Sequence, residues 1–280
     1  MGLVDVPPPH IPSWVVPTSF ALLAAGALCW DVTYVLLAFR SRRTHSYGMP
    51  LLALALNISW EIIFAIGIAE QPLERIGFLA WLLLDIPVLQ ATIRAAPREF
   101  AHAPLVARNI VPILAGMVAV GCAGNAAFAY WFFAVPGRGS GDKAGKWWRG
   151  AEGYDCTELA FWTAGIAQLT VSAGCLAMLF ERAHSGGTSY AICLGSAWFT
   201  RSLGTLLGWI GPSALLWCFW PEAHGFFVNP VAVFLMATCL TCDMIYPMVL
   251  AQVRLTEVVL PDGSIVAGGD HAKATHAKMH

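Results

Sequence analysis

Seven long apolar stretches alternate with short polar connections along the chain, at Val15–Phe39, Met49–Ala69, Leu73–Ala95, Asn109–Val135, Leu159–Phe180, Tyr190–Ile210 and Val228–Leu250. A hydrocarbon core of roughly 30 Å takes about 20 helical residues to cross, and each stretch is that long. In lipid a backbone must satisfy its own hydrogen bonds, so each stretch is predicted to be a membrane-spanning α-helix. The expected fold class is all-α, a bundle of seven transmembrane helices. The first stretch is expected to stay in the mature protein, because no basic region precedes it and it is too long for the apolar part of a signal peptide. The organisation that follows is an N-terminal segment over 1–14, a transmembrane domain over 15–255 and a mobile C-terminal tail over 256–280.

Composition sharpens this picture. The 280 residues are 58% hydrophobic and 12% charged, about half the charged share of water-soluble domains, which argues against a soluble globule. A net charge of −1 with no basic stripe argues against nucleic acid as a partner. Basic residues then orient the bundle, since they are retained on the cytoplasmic side. One set of connections holds ten (Arg40, Arg42, Arg43, Arg94, Arg98, Arg108, Arg182, Arg254, Lys273 and Lys278) and the opposite set five (Arg75, Arg138, Lys143, Lys146 and Arg149). The N-terminus is therefore expected on the lumenal side and the C-terminus in the cytoplasm. The connection 136–158 runs against this bias, with four basic residues beside four acidic ones, and its Trp147 and Trp148 suit a membrane interface.

Most of the eight cysteines fall inside spans, where they act as small apolar residues. Cys156 and Cys218 are both expected at the lumenal side, where a bond between them is an open alternative. Cys239 and Cys242 form a CxxC without neighbouring histidine, a poor zinc or redox site. Gly116, Gly121 and Gly124 are read as close helix contacts.

An ionisable side chain in hydrocarbon costs about 2.5–3.5 kcal/mol on insertion scales, so each needs a reason to be there. Five lie deep inside the predicted spans, away from their ends: Asp31, Glu61, Asp85, Arg201 and Asp243. At ~1.5 Å per residue the four acids lie roughly 12–18 Å deep, at similar height, where they could converge. One arginine neutralises one acid; the other three must reach water, find hydrogen bonds or hold a proton. A carboxyl that keeps its proton is a proton donor. The bland readings are an Asp85–Arg201 structural pair and an Asp31 that snorkels or accepts bonds from Tyr34 or Thr33. Asn57, Trp60, Glu61 and Phe64 stack at i, i+3, i+4 and i+7, setting an amide, an acid and two rings along one stripe, and Tyr246 shares the face of Asp243. Aromatic faces such as these can stabilise a cation.

Several functions are excluded or weakened. No span contains lysine, so a retinal Schiff base has no anchor. Neither DDxxD nor NDxxDxxxD occurs, and single acids on separate helices hold magnesium and diphosphate poorly, so no metal site is expected. A seven-helix receptor or sensor, and a proton-coupled carrier using the same carboxylates, stay open alternatives.

Asn57-Ile-Ser-Trp60-Glu61, Asp85-Ile-Pro87 and Cys242-Asp243-Met-Ile-Tyr246-Pro247, with Val253-Arg254-Leu255-Thr256-Glu257, resemble the fungal integral-membrane terpene cyclases of meroterpenoid and indole-diterpene biosynthesis, the paspaline-cyclase-like group. The resemblance covers about Val15 to Val259. It implies a metal-independent, cofactor-free cyclase that protonates the terminal epoxide, or less often an alkene, of a prenylated aromatic, polyketide or indole precursor. Glu61 and Asp243 match the family's catalytic acids; Asp85, Arg201, Asn57 and Asp31 are support candidates, and Trp60, Tyr246 and Phe64 candidates for substrate binding and cation stabilisation. It further implies residence in the endoplasmic reticulum membrane, a lipid-borne substrate, and a prenyltransferase and an epoxidising monooxygenase as pathway neighbours.

Overall fold

The computed structural model describes residue 2, residues 4–188 and residues 197–269. Among these residues seven helices are long and apolar enough to cross a membrane: α1 (Val15–Thr44), α2 (Leu51–Ile68), α3 (Pro72–Glu99), α4 (Ile110–Phe132), α5 (Cys156–Arg182), α6 (Trp198–Phe219) and α7 (Pro230–Thr256). Their large apolar side chains point outward as well as inward. Leu28, Phe39, Ile66, Leu83, Val120 and Met248 are exposed, whereas Glu61, Asp85, Arg201 and Asp243 are buried. That distribution suits a chain whose solvent is lipid, where the outer surface must be apolar and polar groups are held inside the bundle.

Several helices outrun their apolar stretches. α1 continues through Arg42 and Arg43, α3 ends with Arg98 in its last turn and α7 with Arg254. Hydropathy falls at the first charge, but a basic last turn offsets the helix dipole and the helix continues to its cap. The sixth span departs most from expectation. Its predicted start, Tyr190, lies outside the described residues, and the helix runs on to Phe219 instead of ending at Ile210. The helix passes through Gly211-Pro212 without ending there. The preceding turn, Leu206–Ile210, is wound as a π-turn, and Pro212 falls in the first turn of the α-helical segment that follows, where its missing N–H breaks no bond.

Helix α5 packs against α7 and α2, α2 against α4, and α1 against α3 and α6. The α1–α6 approach runs backbone to backbone: a Cβ on Gly26 would collide with the main chain of Gly208. Of the three α4 glycines expected at close contacts, Gly121 alone makes one, against Ser59; Gly116 and Gly124 face open space.

At the end of the bundle where α1 begins, the connection 136–158 is a folded cap. Trp147–Trp148 pairs antiparallel with Ala151–Glu152. Trp148 stacks on Phe133 at 3.9 Å and donates to the carbonyl of Ile68 at 3.0 Å, so it packs against protein at the end of α2. The opposing charges pair internally. Lys143 bonds Asp155 at 2.9 Å and Glu158 at 2.7 Å, and Lys146 bonds Asp5 at 2.8 Å and the ring of His224 at 2.9 Å. Asp155 also caps α5 by accepting from Thr157 and Glu158 N–H, a favourable place for an anion.

Burial alone would push the Asp155 carboxyl up, but Lys146 and Lys143 hold it well below the usual carboxylate range. Burial pulls the Lys146 ammonium down, and Asp155 and Asp5 outweigh it, leaving it above the usual lysine value. Burial, with Lys146 adding to it, pushes the His224 imidazole down to about 3.

Cys156 and Cys218 are both free thiols, the first buried and the second exposed. The segment expected as a mobile tail opens with a hairpin, Glu257–Val259 paired with Ile265–Ala267.

Candidate active site

A cavity of ≈ 450 Å³ lies between α1, α2, α3, α5 and α6. One wall is aromatic: Trp30 and Tyr34 from α1, Trp60 from α2, Phe78 and Trp81 from α3. The i, i+4 spacing of Trp30 and Tyr34 and the i, i+3 spacing of Phe78 and Trp81 bring each pair to one helix face. Trp60 is fixed from several sides. Its indole N–H donates to Thr163 at 2.9 Å, and its ring meets Phe64 and Phe78 at 5.0 Å and Trp81 at 6.0 Å. Gly204 and Gly208 of α6 and Gln168 of α5 also line it, Gly204 lying against the Trp30 ring, and the cavity reaches Ser19, Glu74 and Thr157 toward the capped end.

Behind Tyr34 and Asn57, which both line the cavity, stands the first acid cluster. Glu61 is fully buried and Asp85 is 1% exposed. The Tyr34 hydroxyl donates to Glu61 Oε1 at 3.2 Å; Asn57 Nδ2 donates to the Tyr34 oxygen and, at 3.2 Å, to Glu61 Oε1. Asp85 on α3 adjoins the Glu61 carboxyl. Among the described residues Glu61 Oε2 and both Asp85 oxygens meet no hydrogen-bond donor. Two adjoining carboxyls can satisfy such oxygens by sharing a proton, one oxygen then donating to the other.

The second acid cluster centres on Asp243. Arg201 Nη2 bonds Asp243 Oδ1 at 2.5 Å, both side chains being buried, and Ser202 donates to Oδ2 at 3.2 Å. The Arg201 guanidinium stands 5.3 Å from the centre of the Tyr246 ring, whose hydroxyl bonds Thr188 at 2.8 Å. Proline has no N–H, so Pro247 leaves the carbonyl of Asp243, four residues before it, without its helical donor. The indole of Trp198 supplies one at 2.8 Å. The spacing of Asp243 and Pro247 thus ties α6 to α7. Arg201, Tyr246 and Thr188 border a small void of ≈ 20 Å³, and Val171 lines both this void and the large cavity.

The structure therefore brings Glu61, Asp85 and Asn57 together, and separately Asp243, Arg201 and Tyr246; among the described residues the two clusters line no common cavity. Arg201 pairs with Asp243 and not with Asp85. The reason is helix adjacency: α6 packs on α7, whereas Asp85 on α3 faces α2. Asp31 is half-buried beside Trp81, and its two expected donors are turned elsewhere, Tyr34 to Glu61 and Thr33 to Thr200. Phe64 does not reach the cavity; it packs behind Trp60 against Phe78. Tyr34, Trp30, Trp81 and Phe78 are site residues that the motifs did not single out.

Comparison with known proteins agrees with the resemblance seen in the motifs. A family model described as Pyr4-like transmembrane terpene cyclases matches residues 4–256. The terpene cyclase ascF of Acremonium egyptiacum is 37% identical over 261 residues, 93% of this chain and 91% of that protein. The terpene cyclase ptmB of Penicillium ochrochloron is 31% identical over 262 residues, 92% and 95% of the two chains, and penB of Penicillium crustosum is 31% identical over 251, 89% and 91%. No solved structure matches. A match that runs through all seven helices leaves no part of the membrane bundle outside it, and the chain belongs to the Pyr4-like transmembrane terpene cyclases, enzymes of terpene cyclisation.

Proposed function

We propose that this cyclase protonates the terminal epoxide, or less often an alkene, of a prenyl chain borne on an aromatic, polyketide or indole group, and steers the resulting cation into rings. The observation that carries this reading is the placement of the Glu61–Asp85 pair directly behind the wall of an aromatic cavity. The pair holds the proton; opening of the protonated epoxide gives a tertiary cation; neighbouring double bonds attack it in sequence. Trp30, Trp60 and Trp81 present π-faces to the moving charge, worth about 0.5–2 kcal/mol each when desolvated. A volume of ≈ 450 Å³ falls in the range of small-molecule pockets, and its apolar lining keeps water from capturing the cation early.

Asp243 is the second acid in this proposal, and its geometry supports a positioning part. With Arg201, Ser202 and Trp198 it fixes the segment of α6 that carries Gly204 and Gly208 to the cavity wall. The reaction as proposed is an isomerisation that needs no metal or cofactor, because protonation and charge stabilisation come from side chains. A prenylated substrate partitions into lipid, which suits an enzyme of the endoplasmic reticulum fed by a prenyltransferase and an epoxidising monooxygenase.

The test is cyclisation by microsomes supplied with the precursor that accumulates when the gene is deleted from its host. Glu61→Gln is expected to lower the rate at least 100-fold, the usual span of general-acid catalysis being about 10²–10⁴. Asp243→Asn leaves Arg201 buried without its counter-charge and is expected to lose activity together with folded yield. Full activity in both variants overturns the assignment.

A further inference from the structure

Glu61 does not itself reach the cavity. It is fully buried and absent from the cavity wall, while Tyr34 and Asn57 stand between it and the void. Tyr34 touches both sides: its side chain lines the cavity, its hydroxyl donates to Glu61 Oε1 at 3.2 Å, and its oxygen accepts from Asn57 Nδ2. Any proton passing from the Glu61–Asp85 pair to a molecule in the cavity by this route meets Tyr34 first.

Resting on the cyclase reading above, we propose that Tyr34 is the catalytic acid that touches the substrate, delivering a proton to it and drawing a replacement from Glu61. The balance is simple. With substrate bound the Tyr34 hydroxyl turns its hydrogen from Glu61 Oε1 to the epoxide oxygen, so that Glu61 becomes the donor to Tyr34; the Tyr34 O–H bond breaks as an O–H bond forms on the epoxide oxygen, and the epoxide C–O bond at the more substituted carbon breaks, its electron pair staying on oxygen. The Glu61 O–H bond breaks as the Tyr34 O–H bond re-forms. The step ends with a hydroxyl, a tertiary carbocation and a Glu61 carboxylate, and the C–H proton lost when the last ring closes restores the acid pair. No electrons are gained or lost overall.

Asn57 has a defined part in this relay. Its amide donates to the oxygen of Tyr34, where negative charge develops as the proton leaves, and to Glu61 Oε1, where it accumulates afterwards. A preorganised donor aimed at developing charge lowers the barrier without reorganising in the step. Asn57 is accordingly a positioning residue. Phe in place of Tyr34 would keep the ring and remove the hydroxyl, and with it both the transferred proton and the acceptor of the Asn57 amide.

The experiment compares Tyr34→Phe, Glu61→Gln and the double variant in the microsomal assay, with the precursor isolated from the deletion strain as the probe. Tyr34→Phe is expected to lower kcat at least 100-fold with KM changed less than about threefold, and the double variant to be no slower than the slower single one, because the two groups act in series. Replacing Tyr34 by 3-fluorotyrosine keeps shape and hydroxyl while strengthening the acid; the alkaline limb of the kcat profile is expected to move to lower pH, which a merely structural hydroxyl would not cause. Tyr34→Phe within threefold of wild type, with Glu61→Gln inactive, overturns the relay and leaves the cyclase reading standing. A 3-fluorotyrosine profile that does not move also overturns the relay, even where Tyr34→Phe fails to fold. Wild-type membranes that leave the precursor unchanged overturn the cyclase reading, and the relay with it.

Discussion

At the scale of single residues, the membrane makes acids conspicuous and leaves aromatic rings anonymous. Glu61, Asp85 and Asp243 stand out in the sequence because each carries an insertion cost that only internal partners offset. Tyr34 and Trp81 carry almost no such cost, so nothing in their local sequence separates them from rings that face lipid; only packing of α1 on α3 places them at the cavity. Partner choice was equally illegible, since the four acids lie at similar depth and depth alone does not choose among them for Arg201; helix adjacency decides for Asp243. The aromatic wall gives a test at this scale. Trp60→Phe keeps a π-face and is expected to retain the wild-type product pattern at a rate reduced severalfold, having lost the bond to Thr163. Trp60→Leu removes the face as well, and a loss of about 0.5–2 kcal/mol of cation stabilisation corresponds to roughly 2- to 30-fold. It is expected to raise the share of incompletely cyclised, water-quenched products. Separation of products by liquid chromatography and mass spectrometry decides it; the same pattern from both variants would remove Trp60 from the cation path.

At the scale of elements, hydropathy located seven spans because length and apolarity are what crossing lipid demands, and it misplaced ends wherever a cap or a local rewinding sets the boundary instead. The π-turn at Leu206–Ile210 is such a case: no window of hydropathy reports it, yet it carries the helix past Gly211-Pro212 and aims Trp209 into the bundle, where it donates to the carbonyl of Phe161 at 3.1 Å. Glycines show the same limit. Three glycines in α4 suggested contact, but contact depends on what the opposing helix presents, and Gly121 alone meets a neighbour there. Substitutions separate the two classes. Gly26→Leu drives a side chain into the main chain of α6 and is expected to cost at least the 1–3 kcal/mol typical of overpacking, lowering both the apparent Tm in detergent and the yield of monodisperse protein. Gly116→Ala adds a methyl group to open space inside a helix and is expected to hold or raise Tm, by about 0.5–1 kcal/mol of helix stability. A Gly26→Leu protein as stable as wild type would mean that α1 and α6 are not in backbone contact.

At the scale of the whole molecule, the capped end is where distant parts of the chain are tied by charge: Asp5 from the N-terminal segment, Lys143 and Lys146 from the 136–158 connection, Asp155 and Glu158 at the start of α5, and His224 after α6. These ties make stability depend on pH in a direction that can be worked out. His224 donates from Nδ1 to the carbonyl of Trp220 at 3.0 Å and accepts from Lys146 at Nε2, so the folded state holds it neutral, its pKa pushed down to about 3 by burial and by Lys146. In an unfolded chain an imidazole titrates near ~6.5. Between those values the unfolded state binds the extra proton, so stability falls as pH drops below about 6.5 and continues to fall toward 3. Asp155, held below the carboxylate range, contributes stability that is complete above its unfolded value near ~3.9 and is lost only at still lower pH. Lys146, held above its usual value, keeps its contribution until alkaline pH. A decline in Tm between pH 6.5 and 5 is thus expected from His224, and His184, whose imidazole burial also pulls down, adds to it. Glutamine in place of His224 can accept from Lys146 and donate to Trp220 without titrating. The difference in Tm between wild type and His224→Gln, followed by thermal denaturation in detergent, is therefore expected to be largest in favour of wild type near pH 7 and to shrink steadily toward pH 5. A difference that stays constant over that interval would show that His224 is not held neutral in the cap.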